Sequence, residues 1–353
     1  MNQPIVLVIG AGQAGLAAGY HLKEAGVPFT ILDDGRRVGD SWRRRYDSLT
    51  LFTPRQFSAL PGLDLPGNRE LYASRDEFAN YLETYAARFR LPVQLGRRVI
   101  RLLRAGKDGF EAELEDGEKL SASEVIVATG AFQRAIVPKL TARFGYDVLQ
   151  LTMEIYRNPG QLPDGPVLVV GDGASGRDIA VEASQFQPVI LATGKPRKLF
   201  PETVLGKSIW WWLNLVGVLR APEDSRIGRK LKQADAFPDR DRSVESMVKR
   251  GIRIVPRLEE ASGAQAQFAD GSVAHIRTVI WAVGYSDDSS WLDIEGARAP
   301  DGAILHEAGV SPVNGIYFVG RPWQRNRASA LIMGAGPDAA VIVSRLLSDR
   351  AMR

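Results

Sequence analysis

The feature that most constrains this chain is a device that occurs twice. An apolar run at residues 5–9 leads into Gly10-Ala11-Gly12-Gln13-Ala14-Gly15 and then a helix-like stretch at 16–25. The arrangement returns at 167–170, which lead into Gly171-Asp172-Gly173-Ala174-Ser175-Gly176 and a second helix-like stretch at 177–184. A dinucleotide pyrophosphate requires such a turn: the first glycine makes it tight, the second lets backbone approach the phosphates, and the third lets helix and strand pack closely. The phosphates then meet a helix N-terminus, whose unpaired amides favour negative charge. Two such turns, each between a strand and a helix, point to an α/β chain with two Rossmann-like dinucleotide-binding domains.

The residues beyond the two turns differ. After the first, the strand at 29–32 ends in Asp33, with Asp34 behind it, about where an acid binds ribose hydroxyls. The same offset from Gly171 lands on Gly194; no acid occurs there, and Lys195, Arg197 and Lys198 come next. That suits a ribose 2′-phosphate, since a lysine at ~4 Å attracts it by up to ~4 kcal/mol at an effective dielectric of 20, before screening. The other reading of these cations is a solvated basic loop.

Composition removes several classes. The chain of 353 residues suits two domains, and it has no cysteine, which excludes disulfides, thiolate metal sites and a redox-active dithiol. Lys and Arg (45) and Asp and Glu (41) are mixed along the chain, so the net charge of +4 reads as a solvated surface rather than a nucleic-acid site. The N-terminus lacks the pattern of a secretory signal, so the expected location is cytoplasmic. The longest apolar run, 209–219 with Trp210, Trp211 and Trp212, is well short of the ~20 residues that span a bilayer. It reads as a buried helix or a cavity wall. Peripheral membrane contact is the minor alternative, because Arg220, Arg226, Arg229, Lys230 and Lys232 lie just beyond it.

Further strands are expected at 124–127, ending in Ala128-Thr129-Gly130, and at 278–281 before Gly284. The capping box Ser74-Arg75-Asp76-Glu77 opens a helix that ends before Pro92. Strands at 99–103 and 110–114, a hairpin turn at Asp270-Gly271, a strand at 316–319 and a closing helix at 339–347 complete the pattern. With Gly39-Asp40-Ser41-Trp42, the stretch 46–54 from Tyr46 to Pro54, and Gly315-Ile316-Tyr317-Phe318-Val319-Gly320, these motifs make a chain that resembles the flavin-containing monooxygenase superfamily. The likeness is greatest to short bacterial members of the cation-efflux-associated type, related to the plant YUCCA monooxygenases, and it covers nearly the whole chain. It implies an FAD domain built from residues 1–155 and 286–353, with an NAD(P)H domain, 160–285, inserted between them.

The resemblance also implies roles. FAD would lie along Gly10, Gly12, Gln13, Ala14, Gly15, Asp33 and Asp34, with Gly39, Ser41 and Trp42 beside it and Trp42 near the flavin. Val99 would meet adenine through its backbone, and Thr129, Gly130 and Gly320 would line the cofactor. Ser329, Ala330 and Leu331 would start a helix whose amides face the flavin pyrimidine. Gly171, Gly173, Ala174, Ser175, Gly176, Lys195 and Arg197 would hold NADPH. Trp323, Gln324 and Asn326 are the catalytic candidates; no metal is implied. NADPH would supply a hydride and O2 an oxygen atom for a small-molecule substrate, with no nucleic acid and no transmembrane segment involved; a homodimer is compatible with this. His21, His275 and His306 read as structural.

Two departures stand out. The superfamily fingerprint has a histidine where Thr152 begins Thr152-Met153-Glu154-Ile155-Tyr156, and an asparagine near the flavin is replaced in Leu51-Phe52-Thr53-Pro54. Both keep alternatives open: an NADPH oxidase or quinone-type reductase without oxygen insertion, or a non-catalytic redox sensor. If the histidine orders the segment between the domains, its loss leaks electrons to hydrogen peroxide. If Gln150, Tyr156 and Arg157 brace that segment, Thr152 is neutral.

Overall fold

The computed structural model describes residues 6–106, 109–197, 199–234 and 237–352; Ile5, of the first apolar run, and Lys198, of the basic stretch after Gly194, lie outside them. Short apolar strands buried on both faces form parallel sheets, because only parallel sheets are covered on both sides as a rule. Two such sheets occur. In the first, the order is Ile316–Phe318, Glu124–Val127, Val6–Ile9, Phe29–Leu32, Val93–Gln94, all parallel. In the second, it is Leu149–Thr152, Thr278–Trp281, Val167–Val170, Val189–Ala192, Arg253–Val255, again all parallel. The glycine-turn strand is central in both. The first sheet therefore combines strands from the two ends of the chain.

Alternate residues of each strand feed opposite cores. In the first sheet Val6, Val8 and Ile126 pack against the helices Gln13–Glu24, Arg75–Arg88 and Ile332–Ala351. Leu7, Ile9, Val125 and Val127 pack on the other side against a three-stranded antiparallel sheet, Val99–Ala105, Gly109–Leu114 and Lys119–Ala122. The second sheet repeats this. Leu151, Val167, Val169 and Ile280 meet the helix Ala174–Ala183, while Leu168, Ile190 and Val279 meet the strands Leu258–Ser262, Gln265–Phe268 and Val273–His275. The capping box is made in full: Glu77 N donates to Ser74 Oγ and Ser74 N to Glu77 Oε2.

Several expectations move. Leu149–Thr152 lies in the second sheet, paired with Thr278–Trp281, so the boundary expected at 155 falls earlier. The helices after the glycine turns start at Gln13 and Ala174, directly on the turns. The closing helix runs from Ile332 to Ala351 through Pro337; Gly334, Gly336 and Pro337, poor helix formers, hid its first two turns. The run 209–219 is a short helix, Ile209–Leu215, and then a single 3-10 turn, Val218–Arg220. Trp210 is buried, Trp211 and Trp212 are half-buried, and Leu215 and Val216 are exposed. Among the described residues no helix is long and apolar enough to cross a membrane.

Candidate functional site

Each glycine turn shows which glycines the protein itself needs. Gly10 has φ +106, and a β-carbon there would lie 2.6 Å from the Ala128 carbonyl oxygen; one at Gly15 would lie 1.8 Å from that of Gly10. In the second turn Gly171 has φ +105 with the Ala282 oxygen at 2.4 Å, and Gly176 has the Gly171 oxygen at 1.9 Å. The middle glycines differ. Gly12 (φ −72, ψ −176) and Gly173 (φ −67, ψ 179) have backbone angles open to any residue, and a β-carbon at either would meet no protein atom within 4 Å. Internal packing explains the outer glycines and not the middle ones. A bare backbone at the head of each helix fits a pyrophosphate approaching its amides.

Around the first turn the fold gathers most of the expected residues. The Asp33 carboxylate accepts from Ala11 N (2.6 Å) and Gly35 N (2.8 Å); burial raises its pKa, against the pull of those two amides. Trp42 donates through Nε1 to Gln13 Oε1 at 3.2 Å and packs its ring edge-on against Phe78. Gln133 Nε2 donates to Thr129 Oγ1 and the Gly130 carbonyl, and Arg321 donates to that same carbonyl at 3.2 Å. A β-carbon at Gly320 would sit 2.6 Å from Ala14 Cβ, so the chain after Ile316–Phe318 also ends at this helix head.

Others lie at the surface or have partners of their own. Asp34 and Ser41 are exposed. Gly39 (φ +89) is accounted for by Ala79, whose carbonyl oxygen is 2.6 Å from where a β-carbon would be. Val99 pairs with Leu114 in the three-stranded sheet. Ser329 and Ala330 belong to a 3-10 turn, Arg327–Ala330, and Leu331 is the N-cap of Ile332–Ala351, so the long helix begins after them rather than with them. Trp323 adopts φ +58, with the Arg327 guanidinium 5.9 Å from its ring. Gln324 is turned inward: its Oε1 accepts from Arg321 N at 3.3 Å and its Nε2 donates to the Ala308 carbonyl at 3.5 Å, so its amide is spent inside the loop. Asn326 Oδ1 is buried without a hydrogen-bond partner.

Around the second turn, the strand register revises the comparison with the first. Ile9 pairs with Leu32 but Val170 pairs with Ala192, so the counterpart of Asp33 is Thr193, one residue before Gly194. Neither is an acid. Lys195 is exposed, and Arg197 Nε lies 3.6 Å from Asp172 Oδ1.

The two sheets are tied by contacts that no local pattern reveals. The chain crosses between them twice, and the crossings pair antiparallel as Arg134–Ala135 with Tyr285–Ser286. Tyr46 is buried in the core of the second sheet and donates to Asp178 Oδ2 at 3.2 Å; burial and that carboxylate hold its phenol well above the usual range. Trp210 Nε1 donates to the Phe52 carbonyl at 2.6 Å, and Arg240 to Thr50. Near Thr152, Gln150 Oε1 accepts from Trp281 Nε1, Tyr156 donates to Glu182 at 2.8 Å, and the Arg157 carbonyl accepts from Asp47 N at 2.7 Å. All three bracing residues are engaged, which favours the reading in which Thr152 is neutral.

The histidines stand apart from both turns. His21 lies on Gln13–Glu24 and His275 at the exposed end of Val273–His275, while His306 rests near Phe318. Burial lowers the pKa of His21, against the Gly336 backbone hydrogen bond and Glu24, and burial together with Arg321 lowers that of His306, against Glu223. Lowered folded values make both histidines favour folding above ~6.5, their unfolded pKa, and this contribution is lost as pH falls through the folded values. Urea midpoints are thus expected to drop from pH 7.5 to 5.5, and His21→Gln with His306→Gln to flatten that drop; an unchanged slope would remove the two side chains as its source.

Two five-stranded parallel sheets, each with a bare-backbone glycine turn on its central strand, define a double dinucleotide-fold oxidoreductase. The chain belongs to the pyridine nucleotide-disulphide oxidoreductase family, whose sequence pattern matches residues 7–197. The family binds FAD and NAD(P), and this chain offers two dinucleotide turns for them. The uncharacterized oxidoreductase CzcO-like of Geobacillus kaustophilus is 43% identical over 97% of this chain and 98% of its own. The rice indole-3-pyruvate monooxygenase YUCCA8 is 29% identical over 94% of this chain and 88% of its own. Among solved structures, the flavin-containing monooxygenase from Stenotrophomonas maltophilia superimposes with a TM-score of 0.81 at 27% identity, covering 99% of both chains. The family's name includes disulphide chemistry, but with no cysteine this chain has no dithiol to carry it.

Proposed function

We propose that the protein is an NADPH-dependent flavin monooxygenase that transfers one oxygen atom from O2 to a small molecule, by S- or N-oxygenation or Baeyer-Villiger insertion. The observation that carries this is the pair of middle glycines, Gly12 and Gly173, which have no role in the protein's own packing. Likeness to oxygenating relatives, with no protein dithiol to take electrons onward, supports O2 as the acceptor.

In this reading the first sheet, from both chain ends, carries FAD, and the second, from about residue 149 to 285, carries NADPH. Bound FAD supplies the redox chemistry, accepting hydride and handling O2. The protein's share is binding and placement. Gly10 to Gly15 present amides to the FAD pyrophosphate and Asp33 faces its ribose. Trp42, held by Gln13, and Thr129 and Gly130, held by Gln133 and Arg321, wall the cofactor. Gly171 to Gly176 do the same for NADPH. Asn326 brings an unsatisfied acceptor to the loop after Gly320, a better candidate than Gln324 for touching a bound group. A second reading is NADPH oxidation without oxygen insertion, to which the threonine at 152 points although Gln150, Tyr156 and Arg157 brace its segment.

Denatured protein is expected to release about one FAD per chain. NADPH use under O2, with a panel of sulfides, amines and cyclic ketones, is expected to run in step with oxygenated product. Release of FMN or of no flavin would overturn the cofactor reading. Hydrogen peroxide equal to all NADPH consumed, with every substrate class, would establish the second reading.

A further inference from the structure

The acid of the second nucleotide fold is present, but it springs from the opposite side. In the first fold the carboxylate of Asp33, at the strand end, reaches back to the amide of Ala11 inside the glycine turn. In the second fold the residue matching Ala11 is Asp172, and its carboxylate reaches out to the amide of Gly194, just past the strand end, at 3.3 Å. A carboxylate thus bridges the same gap in both folds, and in a dinucleotide fold this gap faces the adenosine ribose.

The two carboxylates differ in their company. Arg177, 3% exposed, donates to Asp172 Oδ2 at 3.2 Å and is fixed by further bonds to the Asp172 and Arg242 carbonyls at 2.9 and 2.6 Å. Arg197, 31% exposed, approaches Oδ1 of the same carboxylate at 3.6 Å. One arginine is locked in place, while the other makes a longer contact at the rim, on the loop where a 2′-phosphate is expected.

We infer that Asp172 and Arg197 together set coenzyme selectivity, on the reading above that this fold takes NADPH. A 2′-phosphate draws Arg197 away from Asp172, and Arg177 keeps the buried carboxylate compensated when it leaves. A ribose with a free 2′-hydroxyl instead presents donors to Asp172. The carboxylate therefore opposes the phosphate while the rim arginine attracts it, and the preference for NADPH is held to a moderate ratio.

The test is calorimetric binding of NADP⁺, NAD⁺ and adenosine 2′,5′-bisphosphate to the FAD-loaded protein, independent of turnover. Asp172→Asn is expected to tighten NADP⁺ and the bisphosphate about tenfold and to weaken NAD⁺ several-fold, an opposed shift of about 1.4 kcal/mol or more. Arg197→Ala is expected to weaken NADP⁺ about tenfold and leave NAD⁺ within about twofold. Equal shifts of both coenzymes in Asp172→Asn, or in Arg197→Ala, would overturn the inference by reducing these residues to loop scaffolding. If Asp172→Asn does not fold, with Arg177 left buried beside no acid, the double variant Asp172→Asn with Arg177→Gln removes the buried pair together, and the same opposed shift is expected of it, equal shifts overturning the inference. Unmutated protein that binds neither coenzyme would instead refute the functional reading itself, and the inference with it.

Discussion

Gly12→Ala is expected to yield folded, colourless protein, and Gly15→Ala protein that scarcely folds. The two positions are three residues apart in one turn, but only Gly15 is closed off by the protein. A β-carbon at Gly15 would stand 1.8 Å from the Gly10 carbonyl oxygen and 3.0 Å from its carbon, both backbone atoms that no rotamer change can move. Such overpacking costs ~3 kcal/mol or more, a large share of a ~5–15 kcal/mol stability. At Gly12 alanine meets no protein atom within 4 Å, and φ −72 with ψ −176 suits it. Its methyl group conflicts only with whatever approaches the helix head. Denaturation midpoints and flavin absorbance of the two variants separate the cases: a Gly12→Ala protein that still carries a full complement of FAD would remove the pyrophosphate from this turn.

The second large effect is expected from Trp210→Ala. Trp210 is 2% exposed, packs with Leu219, Ala328 and Leu331, and hydrogen-bonds the Phe52 carbonyl. It fastens the helix Ile209–Leu215 to the segments around Phe52 and Ala328. Emptying such a site costs ~3–5 kcal/mol, and none of its partners lies in a glycine turn. FAD content should therefore persist while water gains entry, and oxygen transfer depends on a water-excluded site. Most NADPH is expected to end as hydrogen peroxide. Trp210→Phe keeps much of the packing without the hydrogen bond and should fall between. Unchanged product per NADPH in Trp210→Ala would show that this helix seals nothing that matters to turnover.

The features legible in the chain alone share one physical property, that their cause is local. A turn with φ near +105 demands glycine whatever surrounds it, so both nucleotide folds could be read from a few residues each. The capping box at Ser74 is equally local. The absence of cysteine settles disulfide chemistry without any fold. The acid at Asp33 and the cations after Gly194 lie at distances that the strand-turn-helix-strand unit itself prescribes, and the register there shifts by a single residue, the length of one connection.

The rest depended on residues far apart. Leu149–Thr152 is too short and polar to declare its sheet until Thr278–Trp281 lies beside it. Gln324 reads as a polar loop residue until the fold brings Ala308 to its amide and turns it inward. Tyr46 opens the stretch that runs to Pro54, yet only tertiary packing places it in the core of the other domain, 132 residues from its partner Asp178. Asp172 sits inside a glycine motif that the chain displays plainly, but its bond to Gly194 exists only because parallel pairing sets the two strand ends side by side. Backbone conformation and the folds it builds come from neighbours in sequence. Which charged or aromatic groups meet at the site is decided by long-range pairing, whose partners no local pattern names.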